Sequence, residues 1–107
     1  MLLGGGEYRG RRVLSPESVA MMMTSYTEGE PGNPFLAGQG WGFGGGVDVR
    51  RTDPWNVPGR YGWVGGTGTA GYVIPSTGTV VVWLSQVEMA GPEDTSAMAE
   101  VLTYAAQ

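Results

Sequence analysis

Gly59-Arg60-Tyr61-Gly62-Trp63-Val64-Gly65-Gly66-Thr67-Gly68-Thr69 runs into Ala70-Gly71-Tyr72-Val73-Ile74, then Pro75-Ser76-Thr77-Gly78, then Thr79-Val80-Val81-Val82-Trp83-Leu84-Ser85-Gln86. Aromatic and β-branched residues on both sides of the glycines favour extended backbone. The spacing predicts a strand over 60–64, a glycine turn, a strand over 69–74, a turn after Pro75, and a strand over 79–85. Three strands joined by short turns make an antiparallel meander. The last strand is apolar at every position from Val80 to Leu84, which predicts that both of its faces are covered.

Upstream, residues 40–50 read as a further strand carrying Trp41, Phe43, Val47 and Val49. Gly44-Gly45-Gly46 within it implies a bulge or a closely approaching backbone. Residues 52–59 contain Pro54 and Pro58 and break the sheet. Ser15 is a suitable N-cap, Pro16 suits the first helical position, and Glu17 suits the first turn. Val19, Met22, Met23 and Tyr26 follow at helical spacing, so a helix over 16–25 is expected, with its methionines filling core. Residues 7–13 read as an exposed turn or short hairpin bearing Arg9, Arg11 and Arg12. Met1 to Leu3 read as a last helical turn ended by Gly4. Residues 28–38, with Pro31, Gly32 and Pro34, read as a loop. Pro92 is expected to open a final helix with Glu93 and Asp94 in its first turn. Its buried stripe would be Ala97, Met98, Val101, Leu102 and Ala105. The pattern is α+β: an antiparallel sheet flanked by helices, one unit spanning 1–107.

Composition excludes several functions. The 107 residues are 41 % hydrophobic and 15 % charged, which is not the make-up of a disordered tail. The net charge is −4 and no basic stripe exists, so no nucleic-acid partner is expected. Cysteine and histidine are absent, and all six basic residues are arginine. Disulfides, Cys/His metal sites, thiol nucleophiles and His or Lys general bases are thereby removed. Neither a metal nor another cofactor is expected. No run is long enough to cross a membrane, and Met1-Leu2-Leu3 followed by three glycines is no signal peptide.

Gly66-Thr67-Gly68-Thr69-Ala70-Gly71 fits G-x-G-x-x-G. A dinucleotide site needs a helix start there, whereas these residues lead into a strand. A kinase glycine loop does lie between strands, but a kinase also needs a lysine, which this chain lacks.

The longer stretch from Gly59 to Gln86 resembles the C-terminal region of the class C β-lactamase-related, penicillin-binding-protein-like serine hydrolases. Gly10-Arg11-Arg12-Val13-Leu14-Ser15-Pro16-Glu17 and Gly40-Trp41-Gly42-Phe43-Gly44 are similar to two further segments of that bacterial family, in the same order. The resemblance implies the C-terminal portion of a β-lactamase/transpeptidase-like fold. In that family the cleft takes its nucleophile and base from Ser-x-x-Lys and a proton-transfer group from Tyr-x-Asn. Trp63-Val64-Gly65 corresponds to the third motif, in the Trp-x-Gly form of esterase-like members. It implies that Trp63, Val64 and Gly65 bind substrate and that the Gly66 N–H donates to an oxyanion. A purely structural role is the other reading of these residues, with Trp63 a packing aromatic and Gly65 and Gly66 turn glycines.

The other two motifs are missing. Without lysine there is no Ser-x-x-Lys, and Tyr8-Arg9-Gly10, Tyr26-Thr27-Glu28 and Tyr61-Gly62-Trp63 are not Tyr-x-Asn. The resemblance therefore implies a partial domain, inactive alone, whose partner is the preceding part of the hydrolase. The complete enzyme would cleave a small ester or amide through an acyl-enzyme. The competing expectation is a non-catalytic β-rich binding module or regulatory homologue. A stacking platform of Trp41, Trp55, Trp63 and Trp83 would mark the binding module.

Overall fold

The computed structural model describes residues 1–27, 36–91, 94 and 96–107. A two-stranded hairpin, β1 (Glu7–Tyr8) and β2 (Arg11–Arg12), precedes helix α1 (Pro16–Met22). Five strands follow: β3 (Gln39–Trp41), β4 (Gly46–Asp48), β5 (Tyr61–Gly65), β6 (Thr69–Ile74) and β7 (Thr79–Leu84). Helix α2 (Ser96–Ala105) closes the chain. The sheet is antiparallel throughout and its spatial order is the chain order, β3 to β7. The α+β architecture is the one expected.

Each turn of the meander has a residue suited to it. Gly68 adopts φ 81° after a turn in which its N–H donates to the Gly65 carbonyl at 3.0 Å. A three-residue loop of this kind needs a left-handed residue at its end, and glycine takes that conformation without strain. Between β1 and β2 both central residues, Arg9 and Gly10, have positive φ. That is the two-residue turn whose twist matches a hairpin.

The core lies on one face of the sheet, beneath α2. Ala70, Tyr72 and Ile74 of β6 alternate inward, and Val81 stands opposite Tyr72. Met98 and Leu102 of α2 cover them, with Val57 beside them. Each of the buried valine, isoleucine, leucine and methionine side chains contributes about 1.5–3 kcal/mol on burial. Val101, read as part of that stripe, faces solvent, while Ala105 packs against the cluster.

The opposite face of β7 is bare: Val80, Val82 and Leu84 are 59 %, 66 % and 77 % exposed. The expectation that both faces are covered fails for this chain. β7 is also the last strand of the sheet, so its outer edge has no partner strand among the described residues.

Several boundaries differ from expectation, β5 by a single residue at each end and β7 by a single residue at its C-terminal end. Residues 40–50 form a hairpin rather than one bulged strand. Gly42 N–H donates to the Gly45 carbonyl at 2.9 Å and Gly44 has φ 79°, which reverses the chain under the Tyr61 ring. Helix α1 stops at Met22 because the Met22 carbonyl accepts from Phe43 N–H at 3.0 Å. The chain then runs along β3, with Tyr26 N–H on the Trp41 carbonyl at 2.9 Å. Met22 and Met23 are half-buried and Tyr26 is exposed, stacked on Phe43 with centroids 4.9 Å apart. At the other end Ser15 caps α1 as expected, accepting from Ser18 N–H at 3.1 Å. Backbone and Ser15 hydrogen bonds hold the Glu17 carboxyl below its usual pKa.

Helix α2 starts at Ser96. Asp94 lies before it and accepts from Ala90 N–H at 3.0 Å, so it fixes the preceding turn instead of joining the first helical turn. Pro92, Glu93, the Ala97 side chain and most of the loop expected over 28–38 lie outside the described residues.

The connection from β4 to β5 is organised by a buried ion pair. Arg60 Nε lies 3.0 Å from Asp48 Oδ2, with both side chains almost wholly inaccessible. Asp48 also accepts from Gln39 Nε2 and from Val57 N–H, each at 2.8 Å. The Arg60 guanidinium sits 4.2 Å from the centre of the Tyr72 ring. Nothing in the one-dimensional pattern marked this cluster, because its members come from β3, β4, β6 and a loop.

Candidate functional site

β4 pairs with β5 only through Gly46↔Gly62 and Val47↔Tyr61. Beyond Gly62, β5 is paired by β6 alone, along Trp63↔Gly71, Val64↔Ala70 and Gly65↔Thr69. The end of β5 thus has one partner strand among the described residues. A cleft of about 540 Å³ at that end is lined by Trp63, Val64, Gly66, Thr67, Glu88, Met89 and Gly91.

Three of the four expected site residues, Trp63, Val64 and Gly66, thus share one cleft. Trp63 is half-buried, with its ring edge-on to Trp41 at a centroid distance of 4.5 Å. Val64 borders the cleft and also packs on the core. Gly66 is exposed, and among the described residues its N–H donates no hydrogen bond. Its carbonyl is occupied, accepting from Met89 N–H at 3.0 Å. Gly65 is the exception. A side chain there would run into Thr69 Oγ1, so Gly65 serves the turn and does not line the cleft.

The other wall is the segment after β7, which no motif announced. It is tied down at several points. Ser85 Oγ and Val87 exchange two hydrogen bonds of 3.1 Å, and Gly68 lies against the Val87 carbonyl so closely that a Cβ would collide with it. Met89 packs against the core and bonds to Gly66. Glu88 is thereby placed on the cleft wall. Among the described residues it forms no ion pair.

Chemically, an unengaged N–H at a strand end can donate to a carbonyl oxygen seated in the cleft, and the apolar wall of Trp63, Val64 and Met89 can hold the rest of the molecule. No lysine or histidine base and no cysteine nucleophile can accompany it, since the chain contains none of the three. The tryptophans form no stacking platform. All four are half-buried, Trp55 and Trp83 against the core, and Trp41 and Trp63 are nearly perpendicular at 80°. Two coplanar exposed rings, the mark of the binding-module reading, do not occur.

Residues 3–105 match the family model described as Beta-lactamase. Two curated proteins of Mycobacterium tuberculosis are similar to the chain: "Uncharacterized protein MT1414" of strain CDC 1551 / Oshkosh and "Protein Rv1367c" of strain ATCC 25618 / H37Rv. Each is 38 % identical over 97 residues, covering 80 % of this chain and 24 % of the relative. The chain spans about a quarter of the length of these relatives.

Proposed function

Because the chain belongs to the Beta-lactamase family, we propose that it forms one wall of a serine-hydrolase cleft of the esterase-like kind and is inactive alone. The observation that carries this reading is the unengaged Gly66 N–H at the mouth of the cleft bordered by Trp63 and Val64. In the complete hydrolase a serine oxygen adds to the substrate carbonyl carbon, and the displaced π electrons settle on the carbonyl oxygen. Gly66 N–H donates to that oxyanion, a contribution of about 10²–10³ in rate for such a donor. Collapse of the intermediate expels the alcohol or amine and leaves an acyl-enzyme. The serine and its lysine base belong to the other part of the domain. Trp63 stands where a lysine would hold a substrate carboxylate, which favours simple esters over β-lactam antibiotics.

The partner we propose for the bare face and free edge of β7 is that other part of the hydrolase domain. Relatives about four times as long supply the chain to form it, and Val80, Val82 and Leu84 supply an apolar surface of the kind that a packed layer covers. The test is hydrolysis of a p-nitrophenyl ester and of nitrocefin, by the chain alone and after mixing with the preceding segment of a relative. The chain alone should give the uncatalysed rate, and the mixture should hydrolyse the ester. Turnover by the chain alone, or none by a mixture shown to associate, overturns the proposal.

A further inference from the structure

We infer that this cleft prefers a positively charged ligand, and that Glu88 is the residue that sets the preference. The inference rests on reading the cleft as the hydrolase site and adds the substrate class: an aminoacyl or aminoalkyl ester or amide.

Three observations carry it. First, Glu88 is the only ionisable side chain among the described residues lining the cleft; its neighbours there are Trp63, Val64, Gly66, Thr67, Met89 and Gly91. Second, the position of Glu88 is set by the backbone. The residue after it donates to the Gly66 carbonyl at 3.0 Å, and the Ser85–Val87 turn before it is pressed against Gly68. Glu88 therefore lines the same cleft as Gly66, whose N–H would receive the substrate carbonyl. Third, among the described residues no cation pairs with it. Both ion pairs among the described residues, Arg12 with Glu7 and Arg60 with Asp48, lie elsewhere, and the chain contains no lysine. A carboxylate on an otherwise uncharged wall attracts an ammonium group and repels a carboxylate ligand. The face of Trp63 adds a surface on which a cation can rest.

The experiment titrates the chain with three small molecules that share a phenethyl group and differ in charge: phenethylammonium, hydrocinnamamide and hydrocinnamate. Binding is followed through the backbone amide signals of Thr67 and Met89. Phenethylammonium should bind about fivefold more tightly than the neutral amide at low salt, and hydrocinnamate about fivefold more weakly. Salt should compress the differences. In Glu88→Gln, an exposed position whose change leaves the fold intact, the three affinities should converge within about twofold. Equal affinities in the parent chain, or a cation preference that survives in Glu88→Gln, overturns the inference. Neither result touches the hydrolase reading, which stands or falls on ester turnover by the mixture with the preceding segment.

Discussion

The main chain of Met89 donates to the carbonyl of Gly66 at 3.0 Å, and that bond joins the segment after β7 to the turn after β5. It brings Glu88 and Met89 beside Trp63 and Val64, residues more than twenty positions earlier in the chain. The Gly66 carbonyl is thereby paired, whereas among the described residues its N–H donates no hydrogen bond. The geometry of the cleft thus depends on how closely the two segments approach.

Gly68 controls that approach. It has φ 81°, and a Cβ there would strike the Val87 carbonyl. Gly68→Ala should therefore cost about 1–3 kcal/mol through backbone strain and displacement of the segment carrying Glu88. Urea unfolding and faster hydrogen exchange at the Met89 amide measure both effects. Gly66→Ala is the control. A Cβ at Gly66 meets nothing within 4 Å, so stability should stay within about 0.5 kcal/mol of the parent.

The ion pair of Asp48 and Arg60 yields a second expectation. Arg60→Met leaves the buried Asp48 carboxylate without its counter-charge and should cost about 3–5 kcal/mol. Asp48→Leu in the same chain removes the stranded charge and should recover part of that loss. Urea midpoints of the single and double variants decide it; a double variant no better than Arg60→Met would mean that the Gln39 and Val57 hydrogen bonds to Asp48, and not the charge pairing, carry the stability.

Tyr72 links the same cluster to alkaline pH. Burial raises its pKa above the ordinary phenol value, and the nearby Arg60 charge opposes that rise only partly. The folded state therefore holds the Tyr72 proton at a pH where the unfolded chain has released it. This contribution is complete below the unfolded value near 10 and is lost as pH rises through the higher folded value. Stability measured by urea should fall as pH increases above about 10. Tyr72→Phe should flatten that part of the profile, and a profile unchanged in Tyr72→Phe would refute the assignment.

How much of this was legible in the sequence depends on whether neighbours in space were neighbours in the chain. β6 was legible to the residue because Thr69–Ile74 lies between a glycine turn and Pro75, both local signals. The Ser15 cap was legible for the same reason. The Trp63-Val64-Gly65-Gly66 motif located one wall of the cleft, although Gly65 turned out to serve the loop. Glu88 was not legible, since an exposed glutamate after a strand carries no signal until Met89 N–H is seen on Gly66. The hairpin within 40–50 was missed because three glycines accommodate either a bulge or a reversal. Contact with Tyr61, eighteen residues away from Phe43, decides between them.

β7 gives the last expectation, because its two faces make opposite claims. Val81 is buried opposite Tyr72, whereas Val82, its neighbour, is 66 % exposed opposite Gly71. Val81→Ala should cost about 2 kcal/mol by opening a cavity beneath α2. Val82→Lys should change the stability of the chain by no more than about 0.5 kcal/mol, since nothing covers that position. Its effect should fall instead on association. Sedimentation should show less self-association of the chain, and an apolar dye should bind less. Mixing with the preceding segment of a relative should no longer restore ester hydrolysis, because a lysine beneath a packed layer has no partner for its charge. Restoration at the parent level by Val82→Lys would show that the proposed remainder of the domain packs elsewhere than on this face of β7.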